Sequence, residues 1–161
     1  MTVKEYNKCV DDHADGVYRF ILKNIKDVEI ARDIVQDAFT KMWEKVKDVS
    51  GKKAKSYLFT AAYHTMIDVI RKNKKMTNSD DMSRFDNGHE SGYSDLKEIL
   101  NEAVGQLPEI QRSVLLLRDY EGYSYKEIGE ITDLNEPQVK VYIYRARLFM
   151  KNYLVSMDKV I

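Results

Sequence analysis

The 161-residue sequence predicts an all-α protein: two small helical domains joined by a flexible linker, the second a four-helix domain carrying a helix-turn-helix. Three observations carry that expectation. Only two prolines and seven glycines punctuate the chain, and its apolar residues recur at helical rather than alternating spacing. Composition breaks once, over residues 73–94, a polar stretch with no apolar period and too long for an ordinary loop inside a compact domain. Finally, residues 124–147 contain two helix starts in close succession. Ser124 followed by Glu127 reads as a capping box, and Asn135 followed by Gln138 as a weaker one.

In chain order, Val3 to Ile25 carries apolar residues at Tyr6, Val10, Val17, Phe20, Ile21 and Ile25, with an interruption at Asp11–Gly16 where a bend or a change of helix is expected. Asp27 or a neighbour caps a long helix through Val46, with Ile30, Ile34, Val35, Ala38, Phe39, Met42, Trp43 and Val46 at helical spacing. Of these, Phe39 and Trp43 are assigned to the core. Residues 48–53 form a loop, and a helix over Lys55–Lys72 buries Leu58 and Ala62. The first domain, 1–75, thus has roughly four helices. The linker, 76–94, is acidic and flexible. The second domain, 95–161, opens with a helix over Leu96–Gln106. Pro108 starts the next, Glu109–Tyr120, and Glu121-Gly122 ends it with a glycine C-cap.

The last two helices leave Thr132-Asp133-Leu134 as their connection, the length a helix-turn-helix requires. Pro137 sits near the start of the second helix, where a missing N–H costs nothing. Ile128, Ile131, Leu134, Val139, Ile143 and Ala146 close a small core between the pair. Gln138, Lys140, Val141, Tyr144 and Arg145 then turn outward. A mixed polar, aromatic and cationic face suits a DNA major groove; the alternative is a helical hairpin whose charges are only solvated.

The net charge of zero is unevenly spread. Residues 1–75 hold 16 Lys/Arg against 11 Asp/Glu, residues 76–94 hold 1 against 4, and residues 95–161 hold 9 against 11. Lys52, Lys53, Lys55, Arg71, Lys72, Lys74 and Lys75 flank one segment opposed only by Asp68, which favours a polyanion at one surface. No run approaches the roughly 20 apolar residues of a membrane span, the first residues lack a signal peptide's apolar core, and the single cysteine, Cys9, fits a reducing cytosol. An enzyme is disfavoured. His13, His64 and His89 are scattered, Cys9 is solitary, and neither a phosphate loop nor metal spacing appears, so no metal, cofactor or small-molecule substrate is expected.

The order of parts resembles the extracytoplasmic-function group of bacterial sigma factors, the smallest members of the sigma-70 family. The second domain is similar to that family's promoter −35 binding domain in Leu107-Pro-Glu-Ile-Gln-Arg-Ser-Val-Leu-Leu-Leu-Arg, in Glu121-Gly-Tyr-Ser-Tyr-Lys-Glu-Ile-Gly and in Val139-Lys through Arg145-Ala-Arg. In the first, Ala31-Arg-Asp-Ile-Val-Gln-Asp-Ala-Phe-Thr-Lys-Met-Trp resembles the polymerase-binding helix. Ser56-Tyr-Leu-Phe through Ile67-Asp-Val-Ile-Arg-Lys resembles the segment that meets the −10 element. The resemblance implies a transcription initiation factor in the cytoplasm. Its partners would be core RNA polymerase, met at the β′ clamp and the β flap, promoter DNA and an anti-sigma factor. The linker would run through the polymerase interior.

Residue chemistry fits those roles. Asp33, Gln36, Asp37 and Thr40 form an acidic-polar stripe suited to basic residues on a partner helix; the resemblance names the β′ clamp coiled coil. Opened DNA needs stacking surfaces and a cationic path. Tyr57, Tyr63 and His64, with Lys52, Lys53 and Arg71, supply both, half of the ring residues in this segment being expected to face DNA. The loop containing Ser50 corresponds to one that captures a flipped-out base in the family. The chain departs from the family pattern where promoter sequence is read: Tyr57 stands for tryptophan, His64 for asparagine, Asp133 for glycine, and Val141 and Tyr142 for serine and arginine. The competing reading is a conventional helix-turn-helix regulator with an N-terminal sensing domain, distinguished by tight, specific DNA binding without polymerase.

Overall fold

The computed structural model describes residues 1–76 and 95–160, as two compact units. The expected linker, 76–94, lies outside the described residues except for Met76, which ends a helix.

The first unit is three helices, α1 (Val3–Ile25), α2 (Val28–Glu44) and α3 (Ala54–Met76), with a short 3₁₀ turn at Gly51–Lys53. Four helices were expected, and the difference lies in α1, which runs unbroken through Asp11–Gly16. Its buried positions, Cys9, Val17, Phe20, Ile21 and Asn24, keep helical register, and half-buried His13 and Gly16 bridge the gap between Cys9 and Val17. The acidic residues of that stretch lie to the side of this stripe. A capping box opens α1: Glu5 N–H donates to Thr2 Oγ1 at 3.0 Å, and Thr2 N–H to Glu5 Oε1 at 2.8 Å. Lys26 closes it in left-handed geometry, at φ 60°. Asp27 starts α2 at once by accepting from Ile30 N–H at 3.0 Å, which lets two long helices reverse through two residues.

Each pair among α1, α2 and α3 packs together. The core is Val17, Phe20 and Ile21 from α1, Ala31, Ile34, Ala38 and Met42 from α2, and Leu58, Phe59, Ala62 and Met66 from α3. Small alanines on the facing stripes of α2 and α3 allow close approach, while Phe20 and Phe59 fill the centre with ring centroids 5.8 Å apart.

The second unit has four helices: α4 (Asp95–Gln106), α5 (Glu109–Leu115, continued by a π-helical turn, Leu116–Tyr120), α6 (Tyr125–Thr132) and α7 (Glu136–Val160). The run Val114–Leu117 is buried at all four positions. Past it the backbone widens, with Glu121 N–H donating to Leu116 O at 3.1 Å, and Gly122 turns the chain at φ 78°. The corner between α4 and α5 is spanned by Arg112, whose guanidinium donates to Leu107 O at 2.9 Å. Helix α7 is the axis of this unit and packs against α4, α5 and α6.

Candidate polymerase and nucleic-acid interfaces

Both caps expected in the helix-turn-helix form. Glu127 N–H donates to Ser124 Oγ and Ser124 N–H to Glu127 Oε1; Gln138 N–H donates to Asn135 Oδ1 and Asn135 N–H to Gln138 Oε1, all within 2.9–3.1 Å. Asp133 adopts left-handed geometry at φ 63°, so an aspartate fills the position where the family carries glycine. Behind it, Leu134 N–H donates to Gly129 O at 3.1 Å. The turn folds so tightly over α6 that a Cβ on Gly129 would lie 2.6 Å from Leu134 O.

Ile128, Ile131, Val139, Ile143 and Ala146 are buried and Leu134 half-buried, which rotates the opposite side of α7 outward. Gln138, Lys140, Val141, Tyr144 and Arg145 are all exposed. Helical spacing arranges them as an apolar ridge with cationic and polar flanks. Val141 (45% exposed) and Tyr144 (65%) form the ridge, and Leu148 (44%) extends it by one turn. Sequence reading omitted Leu148; its signal was the seven-residue interval from Val141. The Gln138 amide oxygen is engaged in the cap, which leaves its NH₂ group on the exposed side of α7.

In the first unit, Asp33, Gln36 and Thr40 are exposed on α2 and Asp37 is half-buried. Lys41 Nζ lies 3.1 Å from Asp37 Oδ2 and donates to Thr65 Oγ1 at 3.1 Å, while Thr65 donates to Asp37 at 3.3 Å. The Asp37 carboxylate is thereby tied to α3. The core assignment of Trp43 is corrected: it is 45% exposed, seven residues beyond Gln36 and therefore on the same face. The α2 core stripe, Ala31–Ile34–Ala38–Met42, already fills the space toward α1 and α3, so the indole has no room there. It packs edge-on against Tyr6, centroids 5.0 Å apart. Phe39 is half-buried, also edge-on to Tyr6, whose hydroxyl donates to Phe39 O.

On α3, Tyr57, His64 and Arg71 recur at seven-residue intervals and share one face; Tyr57 is half-buried, the other two exposed. Tyr63 departs from the expectation of a DNA-facing ring. It is 6% exposed, because it falls on the stripe Phe59–Ala62–Tyr63–Met66 that closes the core. Ser50, Lys52 and Lys53 are exposed on the loop before α3. That loop forms one wall of an open cleft of about 570 Å³, and Glu5, Lys8, Cys9, Asp12 and His13 of α1, with Ala54 and Lys55 of α3, form the rest. The α1 residues were not among the sequence candidates, since nothing local to α1 signals that it borders this loop. Burial, reinforced by Lys55 and Lys8 and partly opposed by Asp12, holds the His13 imidazole below its ordinary value of 6.5. At neutral pH it is uncharged, with one ring nitrogen donating and one accepting. Among the described residues, no helix is long and apolar enough to cross a membrane.

A helix-turn-helix unit and a three-helix unit bearing a cation-flanked cleft and an acidic-polar helix face together define a bipartite nucleic-acid-binding protein. Comparison with known proteins narrows this. The family described as Sigma-70 region 2 matches residues 9–76, and that described as Sigma-70, region 4, matches residues 97–150. The chain is 34% identical to the ECF RNA polymerase sigma factor SigM of Bacillus subtilis (strain 168), over 94% of each chain. It is 33% identical to the RNA polymerase sigma factor SigV of the same organism, over 93% of this chain and 91% of that one. The fold matches that of the sigma factor RpoE in its co-crystal structure with the anti-sigma factor NepR from Bartonella quintana, with a TM-score of 0.81 at 23% identity, covering 94% of this chain and 98% of that one. It also matches CnrH, in complex with the cytosolic domain of CnrY, with a TM-score of 0.70 at 20% identity, covering 94% and 88%.

The chain belongs to the sigma-70 family, in its extracytoplasmic-function (ECF) group. It is an alternative sigma factor, which binds core RNA polymerase and directs promoter recognition in transcription initiation. The reading as a conventional regulator is not favoured, because residues 9–76 match sigma-70 region 2 where that reading needs a sensing domain.

Proposed function

We propose a division of labour among named residues. Residues 1–75 bind polymerase and the −10 element, residues 95–161 bind the −35 element, and residues 76–94 join them. Asp33, Gln36, Asp37 and Thr40, with Trp43 beside them, dock on the β′ clamp coiled coil; the second unit meets the β flap. Ser50, Lys52 and Lys53, with Tyr57, His64 and Arg71, hold the opened −10 strand, and the cleft beside Ser50 takes an unstacked base. Gln138, Lys140, Val141, Tyr144 and Arg145 read the −35 duplex. What supports this reading is that the α2 set and the α7 set each emerge on one face of their helix, opposite its buried stripe, while the −10 set joins one face of α3 to the loop that precedes it.

The protein performs no covalent step; binding energy opens the promoter. It acts in the cytoplasm and takes no cofactor. RpoE and CnrH are each seen with another protein, NepR and CnrY. We extend the anti-sigma relationship stated for RpoE to this chain, whose own partner would be of the same class.

Transcription in vitro with core polymerase over fragmented genomic DNA tests the assignment and reveals the promoter. Asp33→Lys with Asp37→Lys is expected to weaken core binding by roughly ten- to a hundred-fold, with the helical circular dichroism unchanged. Unaltered core binding would remove α2 from the interface.

A further inference from the structure

Tyr125 opens α6 and gathers cations from two other helices. The Arg118 guanidinium, from the end of α5, lies over its ring at 4.5 Å from the centroid, and Lys140 Nζ of α7 lies over it at 5.6 Å. Arg147, seven residues after Lys140, lies on the same flank of α7. Asp119 is engaged by Arg147 through Nε at 3.2 Å and Nη2 at 2.5 Å. With Asp119 held by Arg147, the aromatic face of Tyr125 is what meets Lys140 at this junction. An exposed lysine otherwise spreads over many rotamers, and binding DNA must first order it; a ring that already holds the ammonium reduces that cost.

We propose that Tyr125 is a positioning residue of the −35 reader: its ring, not its hydroxyl, holds the Lys140 ammonium in place for the promoter. This rests on the reading that Lys140 faces the −35 duplex. The test measures promoter affinity of holoenzyme reconstituted with the full chain, and compares the penalty for Lys140→Ala in three backgrounds: Tyr125, Tyr125→Phe and Tyr125→Leu. The penalty should be the same with Tyr and Phe and smaller with Leu, by about two- to five-fold. An equal penalty in all three backgrounds overturns the proposal, and so does a penalty that falls equally with Phe and Leu. No penalty in the Tyr125 background defeats the underlying reading as well, which separates the two failures. Should Tyr125→Leu unfold the unit, proton NMR of the unaltered full chain decides. Ring-current shielding should move the Lys140 ε-methylene protons upfield of the other lysines, and ordinary shifts there overturn the proposal.

Discussion

Gln138 carries two functions that a single substitution can separate. Its oxygen completes the cap of α7, and its NH₂ faces outward on the exposed side of that helix. Glutamate serves equally well as the third residue of a capping box and interacts favourably with the helix dipole. Gln138→Glu should therefore leave thermal stability within about 0.5 kcal/mol while weakening promoter binding, because a donor becomes an anion facing phosphates. Undiminished binding would show that α7 does not present Gln138 to DNA. His13 makes a residue-scale prediction in pH. Its folded pKa is lowered, so the unfolded chain binds a proton that the folded chain does not. The stability it contributes is fully present above the ordinary value of 6.5 and is lost as pH falls from there through the folded value. Replacing His13 with Gln should flatten the dependence of unfolding free energy on pH in that window; an unchanged slope would mean the imidazole titrates normally.

At the scale of elements, the turn between α6 and α7 is the most constrained joint, and Gly129 is its weak point. A methyl group there meets the Leu134 carbonyl, which is backbone and cannot rotate away. Gly129→Ala should destabilise the second unit by roughly 1–3 kcal/mol. The lone tryptophan, Trp43, belongs to the first unit, so its fluorescence transition should stay in place while the circular dichroism transition of the second unit moves to lower urea. Such joints were partly legible in the sequence. Capping boxes are local, and those at Ser124 and Asn135 form with the partners their spacing implies. The burial of Tyr63 was legible too, since it continues the period of Phe59 and Met66, but a segment rich in rings and cations drew it toward DNA. The continuity of α1 was harder to see, because a half-buried histidine and a glycine hold core-facing positions and break the apolar pattern without breaking the helix. Trp43 and the α1 wall of the cleft depend on packing between elements distant in sequence. Composition favours a buried tryptophan; only the filled stripe beneath it turns it outward.

At the scale of the whole molecule, the two units are proposed to hold DNA in different states, the first an opened strand and the second a duplex, and counterion release distinguishes these. Each phosphate neutralised lowers the slope of log K against log salt by roughly 0.9 on duplex and about 0.7 on a single strand. Replacing Lys140 and Arg145 with alanine should thus reduce the slope for holoenzyme binding by about 1.8, and replacing Lys52 and Lys53 by about 1.4. The net charge of the chain is zero, so these effects come from local clusters rather than a general attraction to polyanions. The two reductions should add, to about 3.2 in the fourfold variant, because counterions are counted phosphate by phosphate. Salt titration of promoter affinity, on a fragment with the −10 segment closed and on one with it pre-opened by mismatches, provides the check. On the pre-opened fragment the Lys52 and Lys53 effect persists, since the strand they grip is already free. If it vanishes there, these lysines act on the closed duplex during opening, and the first unit does not hold the opened strand through its loop.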